Sequence, residues 1–246
     1  MKEVRAIGLE GIPEVREGDD LAALVAEAAG RGGGLEDGDV VVVAQKVVSK
    51  AEGRVVELKS AEPSRFAEAI SGGRDPRQTE VILGETARIV RLRPPLVIAE
   101  TRHGFVCASA GVDASNAPAP GTVVLLPTDP DASAERLRNR LRELTGRNVA
   151  VLVTDSFGRP WRQGTTDVAI GAAGLQVLLD LRRERDSTGY QLHATTIAVA
   201  DEIAGAAELV MGKTDGVPAA IVRGLDLDGA GSARDLVMPP DRDLFR

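Results

Sequence analysis

Apolar residues that recur every three or four positions predict the helices of this chain. Residues 19–30 follow this spacing, with an aspartate placed to cap the helix and glycines placed to end it. The same spacing predicts helices over 62–71, 76–86, 131–145, 169–182 and 200–211. In the helix that starts at 131, Leu137, Leu141 and Leu144 share one face, and we expect that face to pack on the core.

Uninterrupted runs of apolar, mostly β-branched residues predict buried strands. The clearest runs are Val40–Ala44 and 149–153. Shorter strands are predicted over 89–92, 96–100, 105–110, 123–126, 192–199 and 219–222. Residues 46–52 either extend the first strand or form a short helix, and 154–168 predict a polar loop.

The order of these elements indicates the fold class. Helices and strands interleave without a regular βαβ rhythm, and neither an internal repeat nor a low-complexity linker divides the chain. We therefore predict an α+β fold of mixed or antiparallel sheets with flanking helices. Residues 1–246 are expected to form a single domain of two closely integrated lobes.

Composition narrows the classes of protein. Aromatic residues make up 2% of the 246 residues, so the core must be aliphatic. The net charge of -7 lacks the basic footprint of a nucleic-acid-binding protein. No apolar run approaches the ~20 residues that cross a bilayer, and the N-terminus has no signal core. The single cysteine, Cys107, excludes an internal disulfide framework, so we expect a cytoplasmic protein. The net charge and the lack of a long apolar run predict neither a nucleic-acid nor a membrane partner.

Lysine is rare enough to be informative, because lysine and arginine are not equivalent where a compact ammonium meets a phosphate. Lys46 and Lys50 lie four residues apart and would project from the same face of either a helix or a strand. Two ammonium groups side by side are unfavourable unless an anion or water separates them. A phosphate site and a solvated surface explain the pair equally well.

A dense polar segment follows the strand over 149–153. Asp155 and Ser156 offer the oxygen ligands that Mg²⁺ and Mn²⁺ prefer, while Arg159 and Arg162 can bind anions. The alternative is a surface loop whose carboxylate forms an Asx-turn. The convergence of so many functional groups favours a site.

Asp113 supplies a second candidate carboxylate, in a stretch of small residues that ends at Asn116. By itself an Asx-turn explains this aspartate equally well. Together with Asp155 it predicts a metal site formed by two carboxylates.

Two other patterns carry less chemistry. Gly212-Lys213-Thr214 is not a P-loop, because the glycine spacing is wrong and a helix rather than a strand is predicted before it. His103 and His193 are the only histidines, which excludes a histidine-rich zinc site. A Cys–His nucleophile pair stays open, although the apolar setting of Cys107 favours a packed thiol.

Taken together, the motifs resemble the coenzyme F-420-0:L-glutamate ligase (gamma-glutamyl ligase) family. The matching segments are 11–15, 38–54, 110–116, 154–162, 166–167, 200–204 and 218–224, in family order over nearly the whole chain. The resemblance implies an α+β, two-lobed, intertwined homodimer. It also implies a GTP-dependent ligase that adds one or more γ-linked L-glutamates to coenzyme F-420-0 through an acyl phosphate.

The resemblance also implies roles for individual residues. The implied nucleotide contacts are Ile12, Pro13, Glu14, Val15, Gln45, Lys50, Asn116, Met211, Gly212, Lys213 and Thr214. Asp113 and Asp155 would bind one divalent ion, Mg²⁺ or Mn²⁺, and Ser156 a second. Lys46, Arg159 and Arg162 would support phosphate or substrate, while no residue stands out as a general base.

Two matters stay open at this stage. A metal-dependent nucleotide or phosphoester hydrolase would use the same two carboxylates, whereas a non-catalytic deazaflavin-binding module would bind the coenzyme without metal and would not be stabilised by a nucleotide. In some relatives a flavin-binding nitroreductase-like domain follows a similar Asp-Leu-Phe-Arg sequence, so a chain ending at Arg246 is either a stand-alone ligase or is cut at that junction.

Overall fold

The computed structural model describes residues 3–244, so the chain end at Arg246 lies outside the described residues. The helices are α1 Leu21–Arg31, α2 Gln45–Ala51, α3 Arg65–Ile70, α4 Pro76–Glu85, α5 Pro130–Thr145 and α6 Val199–Met211. The strands are β1 Arg5–Gly8, β2 Val40–Ala44, β3 Val55–Glu57, β4 Thr86–Arg93, β5 Leu96–Thr101, β6 Val106–Ala108, β7 Thr122–Val124, β8 Ala150–Arg159, β9 Arg162–Ala173, β10 Leu179–Asp180, β11 Thr196–Ile197 and β12 Ala219–Arg223. This mixture confirms the α+β class.

The larger lobe is built on a sheet with the strand order β1-β12-β2-β8-β9. Its β2 and β8 run parallel, while the other neighbours are antiparallel. Alternate residues of β2 and β8 face opposite sides, so α1 and α5 cover one face and α6 covers the other. Burial on both faces explains why the runs that form β2 and β8 are continuously apolar.

The smaller lobe contains the antiparallel sheet β4-β5-β6 and the β3-β7 pair. Helices α3 and α4 pack over these strands around a separate apolar cluster that includes Ile82, Val97 and Val123. Asp113 belongs to this lobe, where its backbone forms a bridge with Val124 beside β7.

The predictions for 154–168 and 169–182 were wrong. Instead of a loop and a helix, β8 and β9 form a long antiparallel hairpin whose register pairs Ser156 with Asp167. Ile170 faces the core under α1 and α5, whereas Ala169 and Ala172 face the core under α6. Alternation between two apolar cores holds this segment extended, although its alanines favour a helix in isolation.

Smaller corrections concern element ends. The strand predicted over 192–199 is reduced to β11, and the short strand β1 was not predicted. Residues 46–52 form a helix rather than a continued strand. Leu137 and Leu141 are buried as expected, but Leu144 is 42% exposed because it lies in the last turn of α5, near the end of the helix.

In the part of the chain that the structure describes, no helix has the length and apolarity that crossing a bilayer requires.

Candidate functional site

A cavity of about 510 Å³ opens where β2 and β8 end. Parallel strands end at the same edge of a sheet, and ligands commonly bind at such an edge. Here β2 leads directly into α2, and β8 continues into the polar residues that follow the buried run. The cavity wall contains all the residues for which the resemblance implies nucleotide contact: Ile12, Pro13, Glu14, Val15, Gln45, Lys50, Asn116, Met211, Gly212, Lys213 and Thr214.

Lys46 and Lys50 project from α2 toward this cavity, which both side chains line. They are 8% and 5% exposed, so the solvated-surface interpretation was wrong. Lys50 Nζ donates to Glu14 Oε1 at 2.6 Å. Lys46 Nζ lies 2.6 Å from both Ser115 Oγ and Asp113 Oδ2. Each buried ammonium is therefore balanced by a carboxylate from a distant segment.

Asp113 forms the Asx-type contacts that the sequence left open, with Ser115 N donating to Oδ1 at 2.7 Å. Burial would raise the pKa of this carboxyl, but hydrogen bonds from Lys46 and Ser115 outweigh burial and lower the pKa. Asp113 is thus both a turn residue and the ion partner of Lys46, although it is not among the residues that line the cavity.

The pKa of Asp155 shifts in the opposite direction from the pKa of Asp113. Burial raises the pKa of this carboxyl to about 7, against the lowering effects of the Ser156 backbone N–H, Lys46 and Lys213, and the Asp167 carboxylate adds to the rise. The carboxylate is therefore poorly compensated by the protein's own cations. A group in that condition gains from an added positive charge.

A divalent cation fits this donor set. Lys46 is in ion contact with Asp113, and its positive charge lowers the pKa values of both Asp113 and Asp155. The candidate ligands Asp113, Asp155 and Ser156 all offer oxygen atoms, as Mg²⁺ and Mn²⁺ prefer. Residues 3–244 contain no group of three or more His, Cys, Asp or Glu side chains arranged to hold a metal. The remaining ligands would have to be hydroxyl, water or phosphate oxygens.

Lys213 follows the last turn of α6, and its Nζ donates to Ser156 Oγ at 3.1 Å. A helix precedes Gly212-Lys213-Thr214, so rejecting a P-loop was right. The contact with Ser156 places a third ammonium at the cavity, because both residues line its wall.

Gln45 supplies an unsatisfied donor. Its Oε1 accepts a hydrogen bond from Ser49 Oγ at 2.9 Å, but its buried Nε2 has no partner. An unpaired buried donor is costly, and Gln45 belongs to the cavity wall. A ligand oxygen would satisfy it.

Arg159 and Arg162 do not reach the cavity. Both are exposed at the tip of the β8–β9 hairpin, on either side of the turn that contains Trp161 at φ 56°. Arg159 Nη2 donates to Gln163 O at 3.1 Å. The anion-binding role of these arginines stays a prediction.

Asp167 is the main site residue that sequence reasoning did not single out. It is 6% exposed, lines the cavity, and accepts hydrogen bonds from Ser156 Oγ at 2.7 Å and Thr154 Oγ1 at 3.1 Å. The pairing depends on hairpin register, which a predicted loop does not provide. The sequence signal available for Asp167 was that residues 166–167 are one of the segments that resemble the ligase family.

Cys107 behaves as a packed thiol. Burial raises its pKa to about 12, and the nearby Asp155 carboxylate acts in the same direction. Because the thiolate is the nucleophile, such a cysteine is inert at neutral pH. His103 Nε2 instead lies 3.0 Å from Pro127 O.

Comparisons with known proteins show which family this chain resembles. The profile of the family described as F420-0:Gamma-glutamyl ligase matches residues 11–224. The chain is 51% identical to a coenzyme F420:L-glutamate ligase of Methanopyrus kandleri, covering 97% of each chain. It is 47% identical to the coenzyme F420:L-glutamate ligase of Methanothermobacter thermautotrophicus, with 99% of each chain covered. A ligase of the same name from Methanocaldococcus jannaschii is 41% identical.

Proposed function

Because the chain belongs to the F420-0:gamma-glutamyl ligase family, we propose that it joins L-glutamate to coenzyme F420-0 at the expense of GTP, with a divalent cation at the site. One observation carries the proposal. Lys46, Lys50 and Lys213 line the same cavity as Asp155, and Asp113 lies in ion contact with Lys46. A nucleotide triphosphate with bound Mg²⁺ or Mn²⁺ matches this combination of ammonium groups and carboxylates.

The nucleotide occupies the wall formed by Ile12, Asn116 and Met211, with its phosphates directed toward the lysines. The unpaired Gln45 Nε2 supports this placement, since nucleotide oxygens are acceptors. Lys46 and Lys213 act as compact charges on the phosphates, for which the small ammonium group is suited.

The reaction has two steps. A carboxylate oxygen of F420-0 attacks the γ-phosphorus of GTP, the bond to the β–γ bridging oxygen breaks, and GDP leaves. The glutamate amine then attacks the carbonyl carbon of the acyl phosphate, inorganic phosphate leaves with the former C–O bonding electrons, and the amine proton passes to solvent. Phosphoryl transfer depends mainly on positioning and charge neutralisation, which the lysines provide.

Asp113 and Asp155 would hold one divalent ion, and Ser156 a second. When bound, such ions neutralise phosphate charge during transfer. Asp167 positions the Ser156 hydroxyl through its hydrogen bond of 2.7 Å. In this structure the Lys46 ammonium lies against the Asp113 carboxylate, so Lys46 must shift toward the phosphates when a cation takes that carboxylate.

The test uses purified protein with GTP, F420-0, L-glutamate and Mg²⁺ or Mn²⁺. Mass spectrometry should show F420-0 extended by glutamate, with one phosphate released for each amide formed. Phosphate release that ignores both F420-0 and glutamate would support the hydrolase alternative instead. Binding of the deazaflavin without any nucleotide turnover would support a binding module.

The homodimer implied by the resemblance is part of the same proposal. Sedimentation of the purified chain measures it directly, and a monomer at working concentration would contradict it.

A further inference from the structure

A second cavity, of about 470 Å³, lies next to the first and has a mostly apolar wall. The β8–β9 hairpin, the strand β6 and the segment after residue 235 enclose it. Its wall includes Phe105, Val106, Phe157, Val168, Val237 and Met238. The proposed reaction leaves this cavity without a role.

The two cavities share the β8–β9 hairpin as part of their walls. Val168 is the register partner of Asp155, so these two side chains lie on the same face. Phe157 follows Asp155 by two residues, on that face and about 7 Å further along the strand. Asp155 lines the first cavity and Phe157 lines the second. The apolar wall of the second cavity therefore begins two residues after Asp155.

The chemistry of the second cavity suits a flat aromatic ring. Its volume falls within the ~300–1,000 Å³ typical of small-molecule sites. Phe105 and Phe157 meet edge to face, with ring centroids 6.4 Å apart, and leave aromatic surface on the wall. Asp201, which accepts the Ala169 N–H at 2.9 Å, adds a half-buried carboxylate. That carboxylate can accept a hydrogen bond from the imide N–H of a flavin-type ring.

We infer that this second cavity binds the deazaflavin ring of the substrate, while the carboxylate of the same molecule reaches the Asp155 cavity. The inference rests on the proposed function for the identity of the ring. It adds a specificity site that is separate from the nucleotide and metal groups. Its residues contribute affinity for one substrate and take no part in phosphoryl transfer.

The test is a fluorescence titration of F420-0 against the wild-type protein and three variants, without nucleotide. Phe157→Ala removes ring contact, and Val106→Glu places a charge on the cavity wall. Val106 is already 37% exposed, so this variant keeps the fold even if Phe157→Ala does not. Phe66→Ala is the matched control, since Phe66 is 49% exposed on α3 and lines neither cavity.

We expect at least tenfold weaker F420-0 binding in both cavity variants and unchanged binding in the control. In turnover, the KM for F420-0 should rise by a similar factor while the KM for GTP stays within twofold. Wild-type affinity in Val106→Glu and Phe157→Ala overturns the inference, and leaves the ligase proposal intact.

Two further outcomes separate the proposals. If wild-type protein binds F420-0 through these residues but never transfers glutamate, the proposed function fails and the ring site stands. If the cavity variants change the sedimentation of the protein without weakening F420-0 binding, this surface is a contact between two copies of the chain, and the ring site is overturned.

Discussion

The ammonium of Lys46 and the carboxylate of Asp113 lie 2.6 Å apart and join the two lobes of the molecule. Lys46 lies in the first turn of α2, the helix that follows β2 in the larger lobe, whereas Asp113 lies beside β7 in the smaller lobe. Removing one partner of a shielded pair leaves the other charge uncompensated. The pair therefore ties the geometry of the acidic site to the contact between the lobes.

Replacing Lys46 with Gln should lower GTP-dependent turnover ~100-fold, which corresponds to about 2.7 kcal/mol of lost transition-state stabilisation. The pKa of Asp113 should rise, because Lys46 contributes to its lowering. Steady-state phosphate release measures the first effect. Lys59→Gln is the matched control, since Lys59 is 78% exposed and pairs with its neighbour Glu57. Equal activity in the two variants would contradict the phosphate role of Lys46.

Asp155→Asn should reduce ligase activity by at least ~100-fold, because an amide neither carries the charge nor matches the affinity of a carboxylate for a hard cation. Raising Mn²⁺ should restore part of the loss if Asp155 is a metal ligand. Circular dichroism checks that the fold is kept. Normal turnover in this variant would remove the metal assignment.

Although Asp155→Asn should lose activity, we expect it to gain stability at high pH. In the folded protein the pKa of Asp155 is raised to about 7 from 3.8. Its burial costs nothing below about pH 3, where both states are protonated, and the full penalty applies above about pH 7. Without metal or nucleotide, Asp155→Asn should be more stable than wild type by up to ~4 kcal/mol at pH 8 and close to it at about pH 3. Urea unfolding at both pH values decides the matter.

Gln45→Leu tests the unpaired amide. Removing an unsatisfied buried donor offsets the loss of the Ser49 hydrogen bond, so the nucleotide-free variant should keep its stability within ~1 kcal/mol. GTP binding should weaken ~10-fold, which is the value of one hydrogen bond to a charged group. Thermal shift with and without GTP measures both quantities. An undiminished GTP shift would show that Gln45 faces no ligand atom.

The β8–β9 hairpin offers a stability test with an internal control. A Cβ at Gly171 would lie 2.3 Å from Pro130 O, whereas a Cβ at Gly158 meets no atom within 4 Å. Gly171→Ala should therefore destabilise the protein by ~2–3 kcal/mol through overpacking. Gly158→Ala should change stability by less than ~0.5 kcal/mol. Equal unfolding midpoints in guanidinium would contradict the close packing of α5 on β9.

Local patterns predicted the elements of the core well. The continuous valine run of β2 predicts a strand that is buried on both faces, because a strand with one solvent-exposed face would alternate apolar and polar residues. The helix spacing of α1 and its capping aspartate, which the structure identifies as Asp20, were equally local and were confirmed. These features depend on residues close together in the chain.

The β8–β9 hairpin could not be predicted in this way. Residues 162–173 are polar at one end and rich in alanine and glycine at the other, so neither strand nor helix periodicity is complete. What makes them a strand is a pair of apolar cores on opposite faces, which exists only once the sheet is formed. The position of Asp167 beside Ser156 follows from that register and was missed for the same reason.

The site residues were identified mainly by motif, and their partners were not. Lys46 and Lys50 were expected to share a face, and they do. Nothing local indicates that Asp113 and Glu14 supply the opposing charges, because these contacts join segments distant in sequence.

The parallel pairing of β2 with β8 also has a kinetic consequence. Its register joins Ala44 to Thr154, so the long stretch of chain between them must be closed into a loop before the lysines of α2 can meet Asp155. Closing so long a stretch of chain is slow compared with forming local helices. GTP should therefore bind only at the end of refolding. The rate at which GTP binding appears should report the rate of the last folding step.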